Sequence, residues 1–148
     1  MTTELRQAID TADASALRQH LERTDTDFMP VLSSRVDLPA YATKLASQAR
    51  RVELWQGERL VGLVAIYCNA PAGADAFITS VSLERAWRGQ GWADRLIEAA
   101  CTLARAAGLA RVRLELHCDN HPARRLYERH GFIPAEPVQQ MLPMHRPL

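Results

Sequence analysis

The fold of this chain is decided by the segment Trp87-Arg88-Gly89-Gln90-Gly91-Trp92-Ala93. The apolar residues before it predict a β-strand: Phe77, Ile78, Val81 and Leu83. The apolar residues after it recur at steps of three and four, which predicts an amphipathic helix: Ala93, Leu96, Ile97, Ala100, Cys101, Ala104 and Ala107. The segment therefore links a strand to a long helix.

The start of this helix has the features of an anion-binding site. No Ser, Thr, Asp or Asn stands where a side chain would cap the first N–H groups. Gly89 and Gly91 allow the backbone to approach a ligand closely, and Arg88 adds a positive charge. We therefore expect a phosphate group at this helix N-terminus. A glycine-containing surface loop capped by water is the alternative.

Two common phosphate-binding loops do not fit this segment. A Walker loop needs a lysine after its last glycine, and the only lysine in the chain is Lys44. A dinucleotide-binding loop needs a third small residue at the position that Asp94 occupies. The phosphate group must therefore belong to another kind of ligand.

Length and composition predict one globular domain over residues 1–148. The net charge of +1 provides no large field, so we expect neither nucleic acid nor a membrane as partner. The three cysteines lack the spacing of a zinc site or a disulfide framework, and no metal is expected. No signal peptide or bilayer-spanning segment is evident, which favours a cytoplasmic location.

The hydrophobic pattern predicts the element order β-α-α-β-β-β-α-β-α-β-β. The expected strands cover residues 4–9, 51–55, 60–67, 76–83, 111–118, 132–133 and 138–144. Asp10 or Thr11 is expected to begin the first helix, and Pro39 the second. A right-handed crossover through the long helix makes strands 76–83 and 111–118 parallel. The sequence thus predicts a mixed α/β sheet.

A second motif lies towards the C-terminus. Leu114-Glu115-Leu116 is followed by Asn120-x-x-Ala123-x-x-Leu126-Tyr127-Glu128-x-x-Gly131-Phe132. Together with Arg88-x-x-Gly91-x-Ala93, it resembles the GCN5-related N-acetyltransferase (GNAT) family over about residues 76–132. The resemblance implies the acyl-CoA N-acyltransferase fold, a mostly antiparallel central sheet with a splayed parallel strand pair, flanked by helices. Trp92 departs from the small aliphatic residue usual in that family.

The resemblance implies acetyl-CoA as donor substrate and no metal. Backbone groups of Val81 and Leu83 are expected to pair with the pantetheine arm, and Asn120 to contact it. The amides expected to hold the pyrophosphate come from Arg88, Gly89, Gln90, Gly91, Trp92 and Ala93.

The resemblance also assigns the catalytic groups. Tyr127 follows Asn120 along the same predicted helix, so its hydroxyl can reach the sulfur and protonate the departing thiolate. The alternative is that Tyr127 is an aromatic core residue. Glu115 is the candidate base, either directly or through one water. An ion pair with Arg113 is the alternative for Glu115, and His117 or water could replace it as base.

The expected reaction is acetylation of a primary amine on a small molecule, of amino sugar or amino acid type. Residues 25–37 would supply the pocket wall, with Phe28 and Arg35 as candidate contacts. The alternatives are acetylation of a protein or peptide N-terminus and a non-catalytic acyl-CoA-binding module. A nucleic-acid interface through the arginines is disfavoured by the near-neutral charge. Acyl length is open, and so is the choice between monomer and homodimer.

Overall fold

The computed structural model describes residues 4–148 as one seven-stranded sheet flanked by four helices. The strands are β1 (Arg6–Ile9), β2 (Arg50–Gln56), β3 (Arg59–Tyr67), β4 (Asp75–Leu83), β5 (Arg111–His117), β6 (Ile133–Pro134) and β7 (Met141–Pro147). The helices are α1 (Ala14–Thr24), α2 (Leu38–Gln48), α3 (Trp92–Ala106) and α4 (His121–Arg129). The strand order is β1-β2-β3-β4-β5-β7-β6. This confirms the predicted fold class and element order.

The first helix begins later than predicted. Its N-cap is Asp13, whose carboxylate accepts the Ala16 N–H. Asp10 is engaged elsewhere, because its carboxylate accepts the Arg51 N–H at 2.7 Å. Thr11 donates to the buried carboxylate of Glu53. Both proposed caps therefore anchor the β1–α1 turn to β2.

The other element ends fall close to their predicted positions. Asp37 caps α2 and Asn120 caps α4 through their side-chain oxygens. The last strand begins at Met141, because Gln139 takes a left-handed conformation (φ +57°) in the turn before it. Residues 25–37 contain two short 3-10 turns and one fully buried apolar side chain, Leu32. Within residues 4–148, none of the helices has the length and apolarity needed to cross a bilayer.

Each face of the sheet is covered by a different pair of helices. The α3–α4 core contains apolar residues of both helices and of five strands, among them Leu96, Leu114 and Tyr127. The α1–α2 core includes Leu17 and Leu45 on the opposite face. Burial alternates along β5, as expected for a strand with one covered face. The two cores hold the sheet rigidly at its centre.

The parallel pair β4–β5 separates after a short ladder. The strands pair only from Asp75↔Arg111 to Phe77↔Arg113. Beyond this point β4 continues to pair with β3, and β5 pairs with β7 up to His117↔Met141. A bulge in the β3–β4 ladder between Ala65 and Ile66 accompanies the separation. The result is a gap in the middle of the sheet, which confirms the predicted splayed pair.

His20 on α1 is a fully buried side chain beneath this gap. Its Nδ1 lies 2.9 Å from Leu60 O, and its Nε2 lies 2.7 Å from Ser82 Oγ. Burial is the main reason that the pKa of His20 falls from 6.5 to about 4. Between these pH values the unfolded chain binds a proton that the folded chain excludes. Stability contributed by neutral His20 is therefore present above pH 6.5 and lost as the pH falls.

Acidification is expected to destabilise the fold through His20. Between pH 7.5 and 4.5, the proton excluded from His20 should lower the free energy of unfolding by about 2–3 kcal/mol. Urea denaturation at both pH values measures this free energy. His20→Gln removes the titrating group, so this variant should lose less on acidification by that amount. Equal acid losses in both proteins would contradict a neutral, buried His20.

Candidate active site

The gap between β4 and β5 opens into a cleft of about 660 Å³. Its walls come from both strands, the loop before α3, the start of α3, α4 and the segment 25–37. Among the residues predicted for the site, those lining the cleft are Phe28, Arg35, Val81, Leu83, Arg88, Gly89, Gly91, Trp92, Ala93, Glu115, His117, Asn120 and Tyr127. Gln90 does not line it, and its amide nitrogen lies 3.4 Å from Ala86 O. One cavity thus gathers residues from the whole chain.

The loop before α3 presents uncapped amides to this cleft. Gly91 is the N-cap residue in a left-handed conformation (φ +86°), and no side chain in residues 4–148 caps the helix. Gly89 is also left-handed, with φ +76°. A Cβ atom built on either glycine would meet no heavy atom within 4 Å. Open space therefore adjoins the loop at both glycines, beside the uncapped N-terminus of α3, where an anion can bind.

Arg88 has protein partners in this structure. Its Nε donates to Leu83 O at 2.9 Å, and its Nη2 donates to the Asp27 carboxylate at 2.8 Å. Its backbone N–H donates to Arg85 O at 3.2 Å. Arg88 therefore braces the loop against β4 and segment 25–37, which differs from the free phosphate ligand that the sequence predicts. The available amides begin at Gly89.

Asp94 places a carboxylate in the first turn of α3, beside these amides. It is balanced by Arg129 at 3.1 Å and by His130 Nε2 at 2.7 Å. Burial raises the pKa of Asp94, but the hydrogen bonds from His130 and Arg129 outweigh it and lower the pKa overall. The carboxylate is thus ionised and paired, which limits its repulsion of an anion in the loop.

The backbone of β4 turns polar groups towards the gap. Glu84 N donates to Val61 O, which fixes the alternation of hydrogen-bonded pairs in the β3–β4 ladder. By that alternation, the N–H and C=O of Val81 and Leu83 point away from β3. Leu83 O accepts a hydrogen bond from Arg88 Nε. The pairing of β4 with β5 ends at Phe77, so no β5 residue pairs with Val81. Val81 therefore offers one donor and one acceptor to a ligand.

Trp92 and Asn120 frame the two sides of the cleft. Trp92 is half-buried against the α3–α4 core, with the Arg95 guanidinium 4.9 Å from its ring centroid. The unusual tryptophan thus fills space in the core as well as lining the cleft. Asn120 Oδ1 accepts the Ala123 N–H at 3.3 Å, which caps α4. Its NH₂ group has no protein partner within residues 4–148.

Tyr127 combines a buried ring with an available hydroxyl. The ring packs edge-on against Phe132, with centroids 5.8 Å apart. Burial raises the pKa of Tyr127, so the phenol stays protonated throughout the neutral range. Its hydroxyl has no hydrogen-bond partner in the described part of the chain, and the residue lines the cleft. Both interpretations of Tyr127, core residue and proton donor, fit this geometry together.

Glu115 lies on the face of β5 away from Leu114 and Leu116. The side chain is exposed at the cleft and forms no ion pair within residues 4–148. Arg113, the partner considered from sequence, pairs instead with Asp75 at 3.3 Å. The Glu115 carboxylate is therefore available to a ligand.

His117 is a weaker candidate for a base. Its Nδ1 accepts the Asp119 N–H at 3.0 Å, which leaves the ring proton of the neutral form on Nε2. Nε2 lies 3.4 Å from the side-chain oxygen of Gln140. Nδ1, the one ring nitrogen able to accept a proton, is thus already occupied by the hydrogen bond from the Asp119 N–H.

The other wall of the cleft holds polar groups that the sequence analysis missed. Ser80 and Ser82 project from β4 on the α1–α2 face and line the cleft. The bulge in the β3–β4 ladder turns both serines away from the face of Ala76 and Ile78, so alternation along β4 could not have identified them. Phe28 and the exposed Arg35 stand beside them, and Arg35 has no ion pair among residues 4–148. Across the same residues, no group of three or more His, Cys, Asp or Glu is arranged to hold a metal ion.

Residues 15–132 match the family model described as the acetyltransferase (GNAT) family. The chain belongs to this family. GNAT acetyltransferases use acetyl-CoA, and the loop of this GNAT domain fits a diphosphate because its amides are uncapped and open space adjoins both glycines. The family assignment thus agrees with the loop geometry and the sheet gap.

Two curated relatives share part of this GNAT domain. The mycothiol acetyltransferase of Corynebacterium glutamicum (strain R) is 36% identical over 83 residues, which cover 56% of this chain and 28% of that protein. A Bacillus subtilis (strain 168) protein named for ribosomal protein bS18-alanine N-acetyltransferase activity is 35% identical over 60 residues, 40% of each chain. The chain therefore matches less than half the length of these relatives.

A solved structure of similar fold contains the coenzyme. PaiA N-acetyltransferase from Thermoplasma acidophilum, in complex with coenzyme A, superposes with a TM-score of 0.74. The superposition covers 97% of this chain and 99% of that one at 12% sequence identity. At this identity the likeness establishes the GNAT fold alone.

Proposed function

We propose that this GNAT domain transfers the acetyl group of acetyl-CoA to a primary amine of a small molecule, of amino sugar or amino acid type. The observation that carries the proposal is the row of uncapped amides from Gly89 onward, which opens onto the gap beside Tyr127. A diphosphate bound there would send the pantetheine arm along Val81 into the sheet. The thioester would then lie between the two helical layers.

The reaction requires three events at the thioester. The neutral amine nitrogen attacks the carbonyl carbon, and the developing oxyanion needs a donor, a role that the Val81 N–H would fill. The carbon–sulfur bond then breaks, and the thiolate takes the Tyr127 hydroxyl proton. The new amide nitrogen loses its proton to Glu115, directly or through water. The products are the acetylated amine and coenzyme A.

The alternatives differ in the acceptor or in turnover. A protein or peptide N-terminus is the second candidate acceptor, favoured by the name of the Bacillus subtilis relative. The mycothiol acetyltransferase relative favours a small molecule. A non-catalytic module would need the loop but neither Tyr127 nor Glu115, and both line the cleft. We also propose that the function resides in one domain over residues 1–148, acting as monomer or homodimer.

Release of coenzyme A thiol tests the proposal. The protein is incubated with acetyl-CoA and a panel of amino sugars, amino acids, amino acid amides and short peptides. We expect thiol release that depends on the amine, with a product heavier by one acetyl group in mass spectrometry. Binding of acetyl-CoA without turnover of any amine would favour the non-catalytic module and contradict the proposal.

Replacing Glu115 by Gln is expected to lower kcat/KM for the amine about tenfold, less than the hundredfold or more typical of a positioned base, because the Glu115 side chain is exposed. The KM for acetyl-CoA should stay within twofold, since Glu115 lies on the other side of the gap from the loop. Steady-state kinetics with both substrates varied provides the test. Glu58→Gln, an exposed carboxylate in the β2–β3 turn, serves as the matched control. Wild-type rates in Glu115→Gln across pH 6–9 would exclude Glu115 as base.

A further inference from the structure

The His20–Ser82 pair joins a buried histidine to the wall of the cleft. His20 is fully buried on α1, and its Nδ1 lies 2.9 Å from the Leu60 carbonyl. A carbonyl oxygen can only accept, so Nδ1 carries the ring proton. No carboxylate contacts the ring within residues 4–148, and burial keeps it neutral at physiological pH. Nε2 is therefore a bare acceptor, placed 2.7 Å from Ser82 Oγ.

This tautomer fixes the direction of the Ser82 hydroxyl. Its single proton must point at His20, so its oxygen lone pairs are what remains for a ligand. Ser82 is 8% exposed and lines the cleft on the α1–α2 face. It directly follows Val81, whose backbone faces the gap. A hydroxyl oriented in this way can accept a hydrogen bond from a ligand but cannot donate one to it.

Ser80 supplies a second hydroxyl on the same face of β4. It is 3% exposed, it lines the cleft, and its Oγ has no hydrogen-bond partner among the described residues. The Tyr41 hydroxyl lies beside Ser80, but its own hydrogen bonds go to Thr79 O and Oγ1. A buried hydroxyl is normally paired, so an unpaired one on a cleft wall points to a ligand atom. Unlike Ser82, Ser80 is free to donate.

We propose that Ser82, oriented by His20, accepts an N–H of the acceptor amine, while Ser80 donates to an oxygen on the carbon next to that amine. The proposal rests on the proposed acetyl transfer and assigns the side chains that bind its acceptor. Residues two apart on one strand face are about 6.6 Å apart. An amine and an oxygen on adjacent carbons bridge that distance through two hydrogen bonds. The acceptor class is thus an α-amino carbonyl compound or a vicinal amino alcohol.

Catalysis benefits because Ser82 positions the nucleophile. An amine that gives one N–H to Ser82 cannot rotate freely, so its lone pair is directed at the thioester carbonyl beside Val81. Ser82 touches the substrate in this arrangement, and His20 is a positioning residue that acts through it.

The first test compares two serine variants on matched amines, alaninamide and isopropylamine, which differ by the carboxamide. Ser82→Ala should lower kcat/KM about tenfold or more for alaninamide, with the acetyl-CoA KM within twofold of wild type. Ser80→Ala should lower kcat/KM about tenfold for alaninamide and less than twofold for isopropylamine. If the wild type does not acetylate isopropylamine at all, the oxygen next to the amine is required for turnover, which supports the proposal.

The second test separates positioning from stability. His20→Leu removes the acceptor for the Ser82 proton, whereas His20→Gln retains one. We expect His20→Leu to lower kcat/KM about tenfold in the wild-type background and less than twofold in the Ser82→Ala background. His20→Gln should recover most of the loss. Thr24→Val removes a buried hydroxyl that donates to His20 O and is not among the residues lining the cleft. This variant should lower the melting temperature without changing kcat/KM.

Four results would overturn the inference, and the first three are measured on the variants. These are wild-type kcat/KM in Ser82→Ala, additive effects of His20→Leu and Ser82→Ala, and equal loss on both amines in Ser80→Ala. Turnover of isopropylamine without turnover of alaninamide would also overturn it. Failure of the proposed function gives a different result, since the wild type would then release no coenzyme A with any amine.

Discussion

Replacing Tyr127 by Phe is expected to lower kcat about a hundred- to a thousandfold, the range lost when a positioned general acid is removed. The KM for acetyl-CoA should change less than threefold, because the loop amides and the Val81 backbone remain. The variant should fold normally, since the ring keeps its edge-on contact with Phe132. Because burial raises the pKa of Tyr127, wild-type kcat should show no alkaline decline from this phenol below pH 10.

The matched control is Tyr67→Phe. Tyr67 also has a buried hydroxyl without a hydrogen-bond partner in the described part of the chain, but it lies outside the cleft. Steady-state kinetics and direct acetyl-CoA binding should therefore be unchanged in this control. A Tyr127→Phe enzyme with the wild-type kcat would remove Tyr127 from the mechanism and leave it a core residue.

Replacing Gly91 by Ala is expected to raise the KM for acetyl-CoA ten- to a hundredfold. The new Cβ projects into the open space that the diphosphate would fill, so one charge-assisted hydrogen bond is lost. Each such bond contributes about 1.5–3 kcal/mol. The kcat at saturating acetyl-CoA should fall much less, because Tyr127 and Glu115 are untouched. Steady-state kinetics with acetyl-CoA varied measures both constants.

Gly73→Ala provides an unusually close control. Gly73 has the same φ of +86° as Gly91, and a Cβ there would also meet no heavy atom within 4 Å. Both variants therefore carry the same backbone strain, about 1–2 kcal/mol in stability. Only Gly91→Ala should lose affinity for acetyl-CoA. Equal acetyl-CoA KM values in the two variants would show that the Gly91 position does not face the diphosphate.

Local sequence patterns predicted the parts of the site that lie within one or two elements. The loop at Gly89 and Gly91, the Asn120 cap and the placement of Tyr127 on α4 each depend on residues within a few positions of one another. The splayed strand pair followed from the same motifs through the family resemblance. These features are encoded by short-range spacing, which a sequence displays directly.

Long-range contacts were the parts that the sequence did not reveal. Arg88 pairs with Asp27, 61 positions away, so the sequence presented it as a free cation. His20 and Ser82 are 62 positions apart, and nothing in either segment indicates that α1 packs beneath β4. The cap of α1 moved to Asp13 because Glu53 captures Thr11 across 42 positions. Such pairings depend on tertiary packing and not on periodicity.

The claim on which the account depends is that free amides at Gly89 and Gly91 hold the diphosphate of acetyl-CoA. A crystal structure with coenzyme A bound tests it most directly. We predict diphosphate oxygens within about 2.7–3.2 Å of the backbone nitrogens that begin α3, with the thiol directed towards Tyr127. A coenzyme bound elsewhere, or loop amides already occupied by the protein's own side chains, would contradict the account.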